Sequence, residues 1–262
     1  MADKCRRNEI TLPHDFPAMF EAFVQQAPHM LFRIPQIRNM VTLSRLSTVD
    51  IDHIETADTV DPAAITEVFE YNKEMLRNIA DHQPSLLRPK LLIEVLNNIH
   101  YIFENRVDLK VLCVGPRTEA EFFMLLGEGF SVQNLTGLDL MSYSDFVDVG
   151  DMHDMPYEDN SFDIVFLGWV LTYSTDMQQV ANECMRVAKP GGYVAVGVEA
   201  EPLSDDRSSY GHTLSDAPNI KTTDEIVELF EDQVYAVPFR HDVHRSKMDK
   251  EVDHVMVVIE LN

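Results

Sequence analysis

The sequence predicts an α/β protein: a three-layer, mostly parallel sheet with helices on both faces, joined to an all-helical N-terminal region. Three observations carry that expectation. Up to about residue 105 the apolar residues recur at helical spacing; beyond residue 107 short β-rich runs alternate with amphipathic segments; and only a short polar stretch separates the last two runs. Strands that alternate with helices require crossovers, which set parallel strands side by side and cover both faces, whereas a short polar link joins antiparallel neighbours. The predicted division is a helical region over residues 1–106 and the sheet domain over 107–262.

The helical half reads as four apolar faces. Phe16, Met19, Phe20, Phe23 and Val24 form one before Pro28, and Ile37, Met40 and Val41 form a second after Pro35. Ile65, Val68, Phe69, Leu76 and Ile79 form the third. Leu91, Leu92, Val95, Leu96, Ile99, Ile102 and Phe103 form the fourth, with Pro89 suited to its first turn. Residues 47–61, STVDIDHIETADTVD, have little helical pattern and read as a connector.

The strand runs are KVLCVG, LTGLDL, FDIVFLGW, YVAVGVE, VYAVPF and HVMVVIEL. Amphipathic segments at 120–126, 176–188 and 223–231 lie between them. The 176–188 helix has Ser174 or Thr175 available as N-cap and is expected to stop at Lys189-Pro190-Gly191-Gly192, with glycine as a left-handed cap. Thr222 and Glu225 have capping-box spacing. The last two strands are expected to form an antiparallel hairpin.

Forty-four Asp and Glu against 21 Lys and Arg give the 262-residue chain a formal charge of -23. Such a field repels phosphate backbones and anionic lipid, so neither nucleic acid nor a membrane is an expected partner. Three cysteines are too few and too scattered for a disulfide framework or a thiolate metal site, and no metal is expected. The opening residues lack the apolar core of a signal peptide, so the expected location is the cytoplasm.

In an open parallel sheet ligands sit at the carboxyl ends of the strands, where strand order reverses. Gly115-Pro116-Arg117-Thr118-Glu119 follows the first run, Asp139 ends the second, and Asp151 stands in GDMHDMPYEDNSFD. A carboxylate at the end of the second strand has two acceptor oxygens for the two hydroxyls of a ribose. Taken in order, VLCVGPRTEAE, GLDL, GDMHDMPYEDNSFDIVFLGWVL and ECMRVAKPGGYVAV, followed by the terminal hairpin, resemble the class I S-adenosylmethionine-dependent methyltransferases over about residues 110–262.

The resemblance implies a Rossmann-like methyltransferase sheet, S-adenosylmethionine as cofactor, and methyl transfer to an oxygen or nitrogen of a small-molecule acceptor. It implies that Gly115 lets the backbone approach the methionine part of the cofactor, with Pro116, Arg117 and Thr118 in the same loop. Asp139 and Leu140 fall at the ribose, Asp151, Met152 and His153 at the adenine, and Gly168 and Trp169 at the sulfonium. The sequence departs from the family in three places. Cys113 stands where the family has an acid, Arg117 and Glu119 stand where it has glycine, and only 12 positions separate Asp139 from Asp151, where a helix and a strand usually intervene. Glu119 and Arg117 are candidates for a replacement clamp, one for the ammonium and one for the carboxylate of the cofactor. The shortened segment implies either that FVDV crosses as an irregular edge without its helix or that the third strand is absent.

Candidate groups to bind or deprotonate the acceptor are Tyr210, His212 and Tyr173, with Tyr143 next. The acceptor is expected to enter between the N-terminal helices and residues 169–173 and 199–222, and the N-terminal helices are also candidates for a homodimer contact. The rival reading is a methyltransferase-like protein without catalysis that acts as a regulatory partner.

Overall fold

The computed structural model describes residues 14–57, 62–81, 88–200, 219–244 and 252–262. The N-terminal part is helical, as its periodicity predicts. Helix α1 (Phe16–Gln26) is followed by a 3-10 turn (Pro28–Arg33) and α2 (Pro35–Leu46), both α-helices opening with a proline in the first turn. Within the expected connector, Glu55–Thr56 forms a two-residue strand, β1. Helix α3 spans Pro62–Asp81. The fourth predicted helix is two: α4 (Arg88–Asn97) and α5 (His100–Asn105), separated by a turn at Ile99, whose backbone is extended. Phe16, Met19, Phe20 and Phe23 of α1 are exposed, and Phe16 stacks on Phe20 at 6.0 Å.

The sheet domain consists of β2 (Val111–Val114), α6 (Ala120–Glu128), β3 (Leu135–Asp139), β4 (Met141–Ser142), β5 (Val147–Val149), β6 (Phe162–Gly168), α7 (Met177–Val187), β7 (Ala188–Ala200), α8 (Thr223–Val227), β8 (Val234–His241) and β9 (Asp253–Leu261). Seven of these strands form one sheet in the order β5-β3-β2-β6-β7-β9-β8. The first five are mutually parallel, while β9 runs antiparallel to both β7 and β8, so the terminal pair is the predicted hairpin. Period-two alternation splits β2 between two cores. Val111 and Cys113 face α4 and α6, and Leu112 and Val114 join the layer that contains α7 and α8. Strand order reverses between β2 and β6, and the carboxyl ends there form the crevice.

The shortened segment resolves to the first of the two alternatives. Val147–Val149 pairs parallel with Gly137–Asp139 as the edge strand β5, without a crossover helix. The chain makes the link by pairing β4 with β1 of the N-terminal region and by a serine turn, in which Ser142 Oγ donates to Ser144 O at 2.9 Å and Ser144 Oγ accepts from the Phe146 N–H at 3.2 Å. Hydroxyls thus supply the local hydrogen bonds that a helix would otherwise supply.

Helix α7 corrects two local expectations. Its N-cap is Asp176, whose carboxylate accepts the Gln179 N–H at 3.0 Å, while Ser174 Oγ accepts the Asp176 N–H at 2.9 Å. The helix ends at Val187 on an extended residue, Ala188, and Gly191 uses its left-handed backbone (φ 72°) inside the β7 run, not as a helix cap. Strand pairing of Ala188 with Phe162 ends the helix before the glycines are reached. The Glu225 carboxylate accepts the Thr222 N–H at 2.9 Å, as the capping box predicts, although α8 is only one turn long before a 3-10 segment.

An ion pair onto a buried carboxylate joins the two halves. Glu119 is 1% exposed and receives Arg45 of α2 in a two-pronged contact, Nε at 2.5 Å and a terminal nitrogen at 2.7 Å. Ser144 Oγ donates to the same carboxylate at 2.6 Å. Arg45→Met strands that carboxylate, and the expected loss is about 1–3 kcal/mol of unfolding free energy, the scale for a buried group left without its partner. Adding Glu119→Gln recovers most of the loss, which urea unfolding of the single and double variants measures.

Candidate active site

The β2–α6 loop begins at Gly115, which needs to be glycine for two reasons. Its φ is 72°, and an added Cβ would lie 2.4 Å from Val170 Cγ2, so the loop and the segment after β6 close against each other. Thr118 and Glu119 are buried. Arg117 donates from Nε to Asn72 Oδ1 of α3 at 3.1 Å and lies 5.4 Å from the ring centre of Tyr71. Of the two residues expected to clamp an amino-acid group, Arg117 thus faces α3, and Glu119 has both oxygens engaged by Arg45 and Ser144.

Asp139 ends β3 on a small pocket of about 10 Å³ lined by Ile54, Asn72, Leu76, Arg117, Met141 and Tyr143. Burial pushes its carboxyl up to about 6, partly offset by the Met141 and Leu140 N–H groups and by Arg117. Tyr143 accepts the Glu119 N–H at 3.3 Å, and burial raises its phenol to about 12. Leu140 keeps partial exposure beside the β4 link, and its carbonyl accepts the Ala57 N–H at 2.8 Å.

The 151–155 loop is fixed from α7. Asp151 Oδ1 accepts the His153 N–H at 2.9 Å and lies 2.6 Å from His153 Nδ1, while His153 Nε2 is 2.7 Å from Ser174 Oγ. Met152 packs on the α7-side core. The Met155 N–H donates to Glu183 at 2.7 Å, and Arg186 donates to the carbonyls of Met155 at 2.9 Å and Tyr157 at 2.7 Å. The Arg186 hydrogen bond holds Glu183 below the usual carboxylate range. The Asp-Asn-Ser-Phe-Asp and Lys-Pro-Gly-Gly pieces that stood out in sequence are structural partners: Lys189 Nζ reaches both oxygens of Asp163 at 2.8 Å, and Phe162 meets the Tyr157 ring edge-on at 5.0 Å.

Gly168 ends β6, and Trp169 follows in the left-handed region at φ 63°. The indole crosses Gly197 and donates from Nε1 to His254 Nδ1 at 3.2 Å. Tyr173 closes the turn after β6 and hydrogen-bonds Tyr71 of α3, whose phenol burial and Tyr173 together raise. Tyr210 and His212 lie outside the described residues.

Sequence reading did not single out Tyr71, Asn72, Arg45 or Glu121 as part of this region. Asn72 had a signal, since it falls on the stripe Phe69, Asn72, Leu76, Ile79 as the one polar member. Glu121 had another, since it stands in AEFFMLL, an otherwise apolar helix; it is 7% exposed and its Oε2 has no hydrogen-bond partner among the described residues.

Residues 112–196 match the family model described as a methyltransferase domain. That segment runs from β2 into β7, and the sheet around it has the Rossmann-like fold of the class I S-adenosylmethionine-dependent methyltransferases. Among curated relatives, a malonyl-[acyl-carrier protein] O-methyltransferase from Coxiella burnetii is 32% identical over 133 residues, which cover 47% of this chain and 46% of that protein. A demethylmenaquinone methyltransferase from Thermotoga maritima is 25% identical over 115 residues, covering 35% and 50%. The chain thus spans about half the length, or less, of the curated relatives it matches. Among solved structures, an S-adenosylmethionine-dependent methyltransferase from Thermotoga maritima has a TM-score of 0.50 at 16% identity, covering 74% of this chain and 97% of that one. The N-methyltransferase NodS from Bradyrhizobium japonicum, solved with S-adenosylhomocysteine, also has a TM-score of 0.50 at 16% identity, covering 72% and 97%. Among the described residues no helix is long and apolar enough to cross a membrane.

The enclosed Asp139 makes a pH prediction. Its folded-state pKa of about 6 lies above the ordinary 3.8, so the folded protein binds more protons than the unfolded chain between those values, and stability falls as pH rises through that window. Asp139→Asn removes this step. Relative to the variant, the unmodified chain should lose about 1–1.5 kcal/mol between about pH 5 and 7, measured by urea unfolding of both proteins.

Proposed function

We propose that the chain is an S-adenosylmethionine-dependent methyltransferase acting on an oxygen or nitrogen of a small molecule. The observation that carries this reading is the enclosed Asp139 carboxylate on a cavity at the reversal of strand order, inside a segment that matches a methyltransferase domain. The Coxiella relative's name supports an oxygen acceptor and that of NodS a nitrogen acceptor.

The residues fit the cofactor in chemical type. Asp139 accepts the two ribose hydroxyls, the backbone at Gly115 approaches the amino-acid arm, and Arg117 adds a cation beside it. Asp151, Met152 and His153 take the adenine edge, with Asp151 Oδ2 left to accept once Oδ1 is spent on His153. Gly168 and Trp169 stand at the methyl end, and Tyr173 and Tyr71 face the acceptor; Tyr210 and His212, outside the described residues, stay candidates for the same role. When bound, S-adenosylmethionine supplies an electrophilic methyl carbon on a sulfonium. The chain's own work is to orient the acceptor for in-line attack, exclude water and, for a hydroxyl or ammonium acceptor, remove a proton. A pocket of about 10 Å³ has room for about one water, so entry of the nucleoside requires α3 to yield.

The packed Gly-Pro-Arg-Thr-Glu loop supports a second reading, a non-catalytic partner protein, and binding separates the two. S-adenosylhomocysteine at about 100 times its Kd should stabilise the full chain by roughly 2.7 kcal/mol, seen as a rise in Tm. Asp139→Ala should weaken its binding about 10- to 150-fold, the equivalent of about 1.5–3 kcal/mol for hydrogen bonds to a charged group. With an acceptor in hand, Tyr173→Phe should lower kcat at least tenfold, on the order of the smaller general acid–base effects, with calorimetric S-adenosylhomocysteine affinity unchanged. No shift in Tm with S-adenosylmethionine or S-adenosylhomocysteine at millimolar concentration overturns the reading.

A further inference from the structure

We propose that Glu121 receives the ammonium of the nucleoside's amino-acid arm, so that α6 supplies the negative charge that the end of β2, at Cys113, does not. This assignment rests on the methyltransferase reading above and deepens it. Glu121 is 7% exposed in the first turn of α6, every residue from Ala120 to Gly127 is buried, and Oε2 has no hydrogen-bond partner among the described residues. A helix that needed only to fill the core would place an apolar side chain there, because an unpaired buried carboxylate is costly.

Its position ties the charge to the site. The Glu121 oxygens lie 3.2 and 3.4 Å from where a Cβ on Gly168 would stand, and Phe166 Cε1 lies 2.7 Å from it, so the backbone at the end of β6 packs directly against the carboxylate and only glycine fits there. The charged and titratable groups that face it are Asp139 from β3, the buried Cys113 thiol from β2 and Arg117 from the β2–α6 loop. Arg117, whose guanidinium acts on both carboxyl groups, already donates to Asn72, which leaves Glu121 open to a second cation when its carboxyl ionises. An oxygen lacking a hydrogen bond further selects a cation that carries N–H donors, which an ammonium has and a sulfonium lacks.

The alternative acid in the loop is spent. Glu119 is saturated by Arg45 and Ser144, whereas the Oε2 of Glu121 has no hydrogen-bond partner among the described residues. Burial and the Asp139 charge push the Glu121 carboxyl well above the usual range, so the ligand-free protein holds a proton there that an arriving ammonium displaces. Ammonium binding is then coupled to proton release.

Calorimetry on the full chain tests this with two nucleosides. S-adenosylhomocysteine keeps the ammonium arm and 5′-methylthioadenosine lacks it. Glu121→Gln, nearly isosteric, should weaken S-adenosylhomocysteine about tenfold or more, leave methylthioadenosine within about twofold, and abolish the proton release seen by comparing buffers of different ionisation enthalpy. Glu121→Met should show the same selective loss and covers the case in which the Gln variant folds poorly. Equal affinity for S-adenosylhomocysteine with proton release unchanged overturns the assignment, as does an equal loss for both nucleosides, which would mark a structural role. If the unsubstituted chain binds neither nucleoside, the methyltransferase reading falls and this assignment with it; if it binds both and the variants are indifferent, the assignment alone falls.

Discussion

Arg45 reaches from α2 into a carboxylate that the β2–α6 loop has buried, and the geometry of the crevice depends on that contact. Glu119 at 1% exposure would be an expensive residue if left alone, so the loop can hold this conformation only while the helical region is docked. Ser144 adds the third hydrogen bond from the opposite side, out of the link that replaces a crossover helix. One carboxylate therefore fixes three pieces relative to one another: the N-terminal helices, the loop at the end of β2 and the short passage from β3 to β5. The glycines that usually leave such a loop open to a ligand have been exchanged for residues that pack it shut from one side, and the ligand-facing work falls to groups further along the chain.

The same reasoning accounts for the most conspicuous sequence pieces, whose work proves to be scaffolding. Asp163 binds Lys189 and accepts the Lys110 N–H at 2.8 Å, joining the starts of β6, β7 and β2. Arg186 and Glu183 on α7 grip the carbonyls and the amide of the 155–157 turn, which in turn presents Asp151 and His153 at the crevice. The most conspicuous pattern is thus held by sheet-edge and loop-anchoring chemistry at the starts of the strands, whereas the groups able to meet a ligand, Gly115, Asp139 and Gly168, sit at their carboxyl ends.

The sheet was legible because its signal is redundant. Each strand is bounded by turn residues, the alternation with helices forces parallel pairing, and the final runs lack any helix between them, so a misjudged boundary such as the end of α7 leaves the topology unaffected. The 98–99 turn between α4 and α5 was hidden because Ile99 continues the apolar stripe even though its backbone is extended. At the site, residues fixed by position at a strand end, Gly115 and Asp139, could be read from order alone. Arg45 and Asn72 could not, because their roles come from which helix docks where, a long-range fact that no local spacing encodes. Glu119 and Glu121 are only two residues apart; that Glu119 is the one spent on the fold is decided by Arg45 of α2, remote in sequence.

Helix α3 makes two neighbouring contacts whose consequences differ. Asn72 holds Arg117, beside Asp139 and the proposed nucleoside arm, whereas Tyr71, one residue earlier, hydrogen-bonds Tyr173 on the side proposed for the acceptor. Adjacent residues on a helix point about 100° apart, so one helix can close two compartments at once. Any displacement of α3 large enough to admit a nucleoside to the Asp139 cavity, which Asn72 and Leu76 also line, breaks the Arg117 and the Tyr173 contacts together. The two halves of the crevice cannot then open independently. Closure over a bound nucleoside would rebuild the acceptor wall in the same movement, which is the order of events a methyl donor needs if water is to be kept from it until the acceptor is in place.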